Sequence, residues 1–175
     1  ALTTLCGLKP DQTEADFSYW ALTPQDAKLL APEILVHGSL TKILLSRNQL
    51  GDMGTTILCD ALRESTVSNV EELDLSLNYI GPGGAKAIAA LCAVRASLTS
   101  ISLLGNKFDD ETVTMLLKLK EEKPTLSTLC GLQPDETEAN FQHRGLRPQD
   151  AKLLAPEILV HPSDEHQSRT ELSWC

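Results

Sequence analysis

Val70 to Leu91 reads VEELDLSLNYIGPGGAKAIAAL. Val70, Leu73, Leu75, Asn78 and Ile80 fall in the pattern LxxLxLxxNxL, and a GPGG turn with a short apolar run follows at once. Side chains alternate between the two faces of a strand, so the first Leu, the LxL pair and the residue after Asn face one way. The run after the turn has helical spacing. The unit is therefore a short strand with a return helix, and it cannot close a core alone. Stacked copies bury one another's aliphatic side chains, each worth about 1.5–3 kcal/mol. The fold class this predicts is an α/β solenoid, with a parallel concave sheet and helices on the convex side.

The same pattern recurs on both sides. Leu40, Ile43, Leu45, Asn48 and Leu50 precede it, and Leu98, Ile101, Leu103, Asn106 and Phe108 follow it. Helices are expected from Asp52 to about Glu64, from Pro82 to about Arg95 and from Asp109 or Asp110 to about Glu122. Near the start, Ala15 and Phe17 take the inward places and Trp20 stands where Asn78 does. Thr23 and Pro24 have the chemistry of an N-cap and a first helical residue. Ala27, Leu29, Leu30, Ile34 and Leu35 supply an apolar face, and Pro32 is expected to kink or end that helix near Leu30. The Asn amide can serve backbone groups of adjacent units. Trp20 and Arg144 cannot, so a different turn is expected in their units.

A larger period overlies the short one. Residues 128–161 match residues 4–37 at 26 of 34 positions without a gap, an offset of 124. Counted at the Asn place, the steps are 28, 30, 28 and then 38, ending at Arg144. We read residues 1–162 as one domain of about five units, with expanded units at 1–38 and 126–162. Residues 163–175 put Asp164, Gln167 and Arg169 where inward residues belong, and read as a polar tail. Ala1 is not an initiator methionine and the chain opens inside a motif, as a processed product or a piece of a longer array would.

Composition narrows the function. The chain has 175 residues, 42% hydrophobic and only 4% aromatic, with a formal net charge of −9. An acidic surface disfavours nucleic acid and anionic membranes and favours a protein partner with a basic surface. No apolar run reaches the roughly 20 residues of a membrane span, and no signal peptide is visible. Five cysteines, odd in number and without a CxxC pair, point to reduced thiols and an intracellular, cytoplasmic setting. The GPGGAK turn lacks phosphate-loop spacing. His161 and His166 flank two acids but nothing fixes a metal geometry. Glu72 and Asp74 share a strand face, yet an open sheet offers no water-excluding pocket for acid–base chemistry. His143 has no nucleophile beside it. No enzyme activity, cofactor or metal is expected.

These repeats resemble the ribonuclease-inhibitor-like class of leucine-rich repeats, through the 28-residue step and the helix phrase Gly81 to Cys92. The class includes the repeat domains of NOD-like receptors, Ran GTPase-activating proteins and tropomodulin. The resemblance implies a scaffold that binds proteins on its concave face. The dense cysteine pattern of ribonuclease inhibitor is absent, and the TLCGL…TEA insertion departs from the pattern. The candidate partner-binding residues lie on the outward strand positions and the turn edge: Asp16, Ser18, Tyr19, Trp20, Lys42, Ser46, Glu72, Asp74, Ser76, Ser102, Asn140 and His143. Six of the eight differences between the copies fall near that edge, while Gln25, Asp26, Lys28 and Glu33, expected to be exposed, do not change. That contrast favours recognition over drift, with Tyr19 and Trp20 as aromatic anchors. The alternatives are a structural subunit in a larger assembly and a regulator of a GTPase-like enzyme.

Overall fold

The structure is a computed structural model that describes residues 5–132, 141 and 145–160. Strands and helices alternate along the chain: β1 (Glu14–Asp16), α1 (Pro24–Val36), β2 (Lys42–Leu44), α2 (Gly51–Glu64), β3 (Glu72–Asp74), α3 (Pro82–Val94), β4 (Ser100–Ser102), α4 (Asp110–Glu122) and α5 (Pro148–Val160). The four strands form a parallel sheet in chain order. Ala15, Ile43, Leu73 and Ile101 pair across it in register. All four are buried, with Phe17, Leu45, Leu75 and Leu103 in the next inward row. The core is one aliphatic layer between sheet and helices, as the LxxLxLxxNxL spacing requires.

The Asn places work as a ladder between units. Asn48 Nδ2 donates to the carbonyls of Phe17 and Leu45, both at 2.9 Å, and its Oδ1 accepts from Leu22 N–H at 2.8 Å. Asn106 repeats this with Leu75, Leu103, Asn78 and Ile80. Each Asn therefore serves the unit before its own.

That direction explains an expectation that failed. Tyr19 turns with φ 63°, like Arg47 (56°), Leu77 (56°) and Gly105 (73°) in the following units. Its N–H donates to Ser46 O at 3.0 Å, the bond that Arg47 makes to Ser76 O and Leu77 to Leu104 O. The backbone ladder sets this turn, so Trp20 does not change it. The turn at Arg144 lies outside the described residues.

The helices start where the sequence indicates. The Asp26 carboxylate accepts from the N–H and hydroxyl of Thr23 ahead of Pro24. Asp109 caps α4 by accepting from Thr112 N–H at 2.8 Å. At α3 the carboxylate of Asp52 takes Gly81 N–H at 2.6 Å. A Cβ on Gly84 would fall 2.4 Å from Ile80, and one on Gly83 2.7 Å from Asp52. GPGG thus lets α3 begin directly over an internal carboxylate, which occupies the place of an external anion. Pro32 neither ends nor divides α1, which runs on to Val36. Pro32 is exposed, so water can satisfy the carbonyl that loses its partner, while Leu30, Ala31 and Ile34 anchor both sides in the core.

The largest correction concerns the 38-residue step. Ser100 bridges Thr128 in parallel, and Leu103 N–H donates to Leu129 O at 3.0 Å. Leu126 and Leu129 are buried, 28 residues after Leu98 and Ile101. The long step is therefore an ordinary 28-residue step to Leu129 followed by a ten-residue remainder. The segment beside β4 is TLC, and the segment from Ala139, expected to take that place, is largely outside the described residues. The pattern fails to announce this because Gly131 and Pro134 replace the second Leu and the Asn. Gly131 holds φ 76°, and a Cβ there would lie 2.9 Å from Ser102.

Candidate protein-interaction surface

The helix-free face of the sheet carries three rows of side chains fixed by the strand register. One row runs Glu14, Lys42, Glu72, Ser100 and the next runs Asp16, Leu44, Asp74, Ser102. Lys42 Nζ lies 3.2 Å from Glu72, a half-exposed pair that leaves Glu14, Asp16 and Asp74 to give the face its sign. Asp16 accepts from Ser18 N–H and Asp74 from Ser76 N–H, both at 2.9 Å. The Ser18 backbone and hydroxyl hold the Asp16 carboxyl below its ordinary range. In the third row the Ser46 hydroxyl donates to Ser18 Oγ at 3.1 Å.

Exposure falls along this face. Asp16 is exposed, and Ser18, Lys42, Ser46, Glu72 and Asp74 are half-exposed. Ser76 and Ser102 point outward but are buried, against expectation. Ser102 bonds Cys130 O and lies against Gly131, so the segment that follows α4 covers this end of the face. Asn140 and His143 lie outside the described residues.

The turn edge carries the apolar character. Tyr19 and Trp20 are 71% and 62% exposed, and Trp20 stands edge-on to buried Phe17 with ring centres 5.3 Å apart. Arg47 lies over the Tyr19 ring at 5.2 Å. Two units on, Lys107 lies over exposed Tyr79 at 4.8 Å. Sequence reasoning missed Arg47, Tyr79 and Lys107. Their signal was positional, since Tyr79 and Lys107 each follow an Asn of the ladder and Arg47 precedes one.

The contrast drawn between variable edge and unchanged helix residues fails on α5. The counterparts of Gln25, Asp26, Lys28 and Glu33 all contact the preceding unit. Gln149 donates to Asp110 at 3.3 Å, and Lys152 pairs with Asp110 at 2.8 Å. Buried Asp150 accepts from Gly105 N–H at 2.7 Å. Buried Glu157 holds Lys120, Thr128 and Leu129 N–H at 2.6–2.7 Å. Packing fixes these four, so their constancy does not argue for recognition at the edge.

Among the described residues no group of three or more His, Cys, Asp or Glu side chains is placed to hold a metal ion. Nor is any helix among them long and apolar enough to cross a membrane. The His161–His166 segment lies outside the described residues.

Known proteins show the same architecture. A family model described as Leucine Rich repeat matches residues 68–89. RAN GTPase-activating protein 2 of Arabidopsis thaliana is 27% identical over 105 residues, 60% of this chain and 19% of that protein. Ribonuclease inhibitor of Sus scrofa is 33% identical over 95 residues, 54% of this chain and 21% of that protein. The chain thus spans about a fifth of the length of these relatives. A solved structure titled Leiomodin-1 Actin-Binding Site 2 superposes with a TM-score of 0.61 at 18% identity, covering 86% of this chain and 83% of that one, a likeness of fold alone. The chain is a leucine-rich-repeat solenoid. Its repeats are of the ribonuclease-inhibitor-like class.

Proposed function

We propose that the chain is a non-catalytic protein-interaction module whose partner presents a basic surface to the open sheet face and its aromatic turn edge. One observation carries this reading. Asp16 and Asp74, in one register row with Glu14 and Glu72 beside it, lie next to an edge where Tyr19 and Trp20 stand exposed. Carboxylates steer a basic partner and set its register, while aromatic anchors slow its departure. The site comprises Asp16, Ser18, Tyr19, Trp20, Lys42, Ser46, Glu72 and Asp74, to which Arg47, Tyr79 and Lys107 are added. Ser76 and Ser102 act as supports beneath it.

Affinity capture with the wild type, Trp20→Ala and Glu72→Lys/Asp74→Lys tests this. A protein held by the wild type should be lost from both variants, with melting temperatures nearly unchanged. A specific partner retained by both would defeat the reading. The similarity to a Ran GTPase-activating protein supports a second reading, regulation of a GTPase. Single-turnover GTP hydrolysis with and without the chain separates the two, because a pure binding module leaves that rate unaltered.

A further inference from the structure

The sequence PQDAKLLAPEILV occurs twice, as α1 and as α5, and the two copies bury different faces. In α5 the buried residues include Asp150, Leu153, Leu154 and Glu157, while Ala151 and Ala155 are exposed. In α1 the buried face is rotated: Ala27, Leu30, Ala31 and Ile34 are buried, so Leu30 stays inside as Leu154 does, but Leu29 is 55% exposed where Leu153 is 0%. Leu5 is 70% exposed where Leu129 is 0%. One sequence thus carries two contact faces. α2 covers the first face on α1, and the unit of β4 and α4 covers the second on α5.

We infer that the second face of α1, made by Leu5, Gln25, Asp26, Lys28, Leu29 and Glu33, is a stacking interface. Its occupant is a leucine-rich-repeat unit of the 98–122 type, set in register ahead of β1. The contacts that α5 makes define that unit's chemistry. It carries a carboxylate at the place of Asp110 for Gln25 and Lys28, and a turn N–H at the place of Gly105 for Asp26. It also carries a lysine at the place of Lys120 for Glu33, and an aliphatic pocket for Leu29 and Leu5. The first copy keeps all six residues. Glu33 already holds the Cys6 N–H at 2.9 Å, in the manner of Glu157 with Leu129. One residue departs. Arg147, which donates to the carbonyls of Asn106 and Phe108, is Thr23 in the first copy, so those two bonds would be missing. A second copy of this chain is a poor occupant, because its own Leu129 and α5 already cover the unit of β4 and α4. Exchanging one copy for the other would swap like contacts for like. This inference does not depend on the partner proposed above.

The test is a chain in which residues 98–127 are repeated ahead of Thr4, reproducing the native junction before Thr128. Leu29→Ala should be nearly neutral in the ordinary chain. In the extended chain it should shift the unfolding equilibrium by at least about thirtyfold, the lower end for a buried leucine. Cys6 labelling by maleimide should slow to the rate of Cys130, and Thr23→Arg should stabilise only the extended chain. Leu153→Ala serves as the control that both chains are folded, and should destabilise each. If Leu29→Ala stays neutral and Cys6 stays reactive in a folded extended chain, the inference is overturned. Concentration-dependent dimerisation of the ordinary chain, abolished by Leu29→Lys, would overturn it as well, in favour of a second copy.

Discussion

Ala21 holds φ at 56°, and its counterpart in the second copy, Gly145, holds 57°. The left-handed conformation costs a residue with a Cβ about 1–2 kcal/mol, part of which glycine returns through the greater freedom of its unfolded chain. Ala21→Gly is therefore expected to stabilise the fold by about 0.5–1 kcal/mol in urea denaturation, a rare case of glycine improving a structure. No gain at all would mean that the turn relaxes without strain. Asn106 is the opposite case. Its amide satisfies four backbone groups of two units, all at 2.8–3.0 Å. Asn106→Ala leaves them buried and unmatched, and should cost about 3 kcal/mol or more. Trp20, at the equivalent place, carries an indole that donates but cannot accept and so has no such duty. The ladder was readable from sequence because an Asn amide suits few other roles at a 28-residue spacing. The edge stacks were not readable, because the sequence does not show that Arg47 leans on Tyr19 or Lys107 on Tyr79.

At the scale of elements, α1 and α5 form an experiment with sequence held constant. Leu153→Ala should cost about 2–4 kcal/mol and Leu29→Ala less than about 0.5, the values for buried and exposed sites. Equal losses would show that the two helices do not bury different faces. Sequence alone placed Leu29 in the core, since a helix between two units must be apolar on both flanks and the code cannot say which neighbour is present. For the same reason the step through TLCGL was misread. The strand there is specified by Leu126 and Leu129 only, and its remaining register comes from the hydrogen bonds of β4. The three regular units were legible because periodicity alone determines them. A third element, α4, links stability to pH. The side chain and backbone of Thr112 hold the Asp109 carboxyl below its ordinary range. A folded-state value below the unfolded one stabilises the fold above the ordinary carboxylate pKa, and that gain is lost as pH falls through the folded value. Asp109→Ala should lower the melting temperature at pH 7, and the gap from wild type should close as pH falls through the lowered folded value of Asp109.

Across the whole molecule, the four cysteines among the described residues are distributed so as to report how the solenoid opens. Cys6 is half-exposed beside the second face of α1, Cys59 and Cys92 are buried in the adjacent middle helices α2 and α3, and Cys130 is buried beside β4. Burial raises all four thiols above their ordinary value, Cys92 to about 11, so labelling requires both exposure and ionisation. In a stack of units each element is held by its neighbours, and an end unit is held on one side only. The Cys130 segment joins β4 through isolated bridges, whereas the inner strands pair over three residues each. Local opening should therefore reach Cys130 at a smaller free energy than the middle of the stack. Pulsed maleimide labelling in rising urea, read by peptide mass, is expected to modify Cys6 first and Cys130 next. Cys59 and Cys92 should follow together at the global transition. If Cys59 and Cys92 react at different urea concentrations, the boundary between α2 and α3 does not unfold as one unit. The 30-residue step between their strands, longer by two residues than its neighbours, would then be where cooperativity breaks.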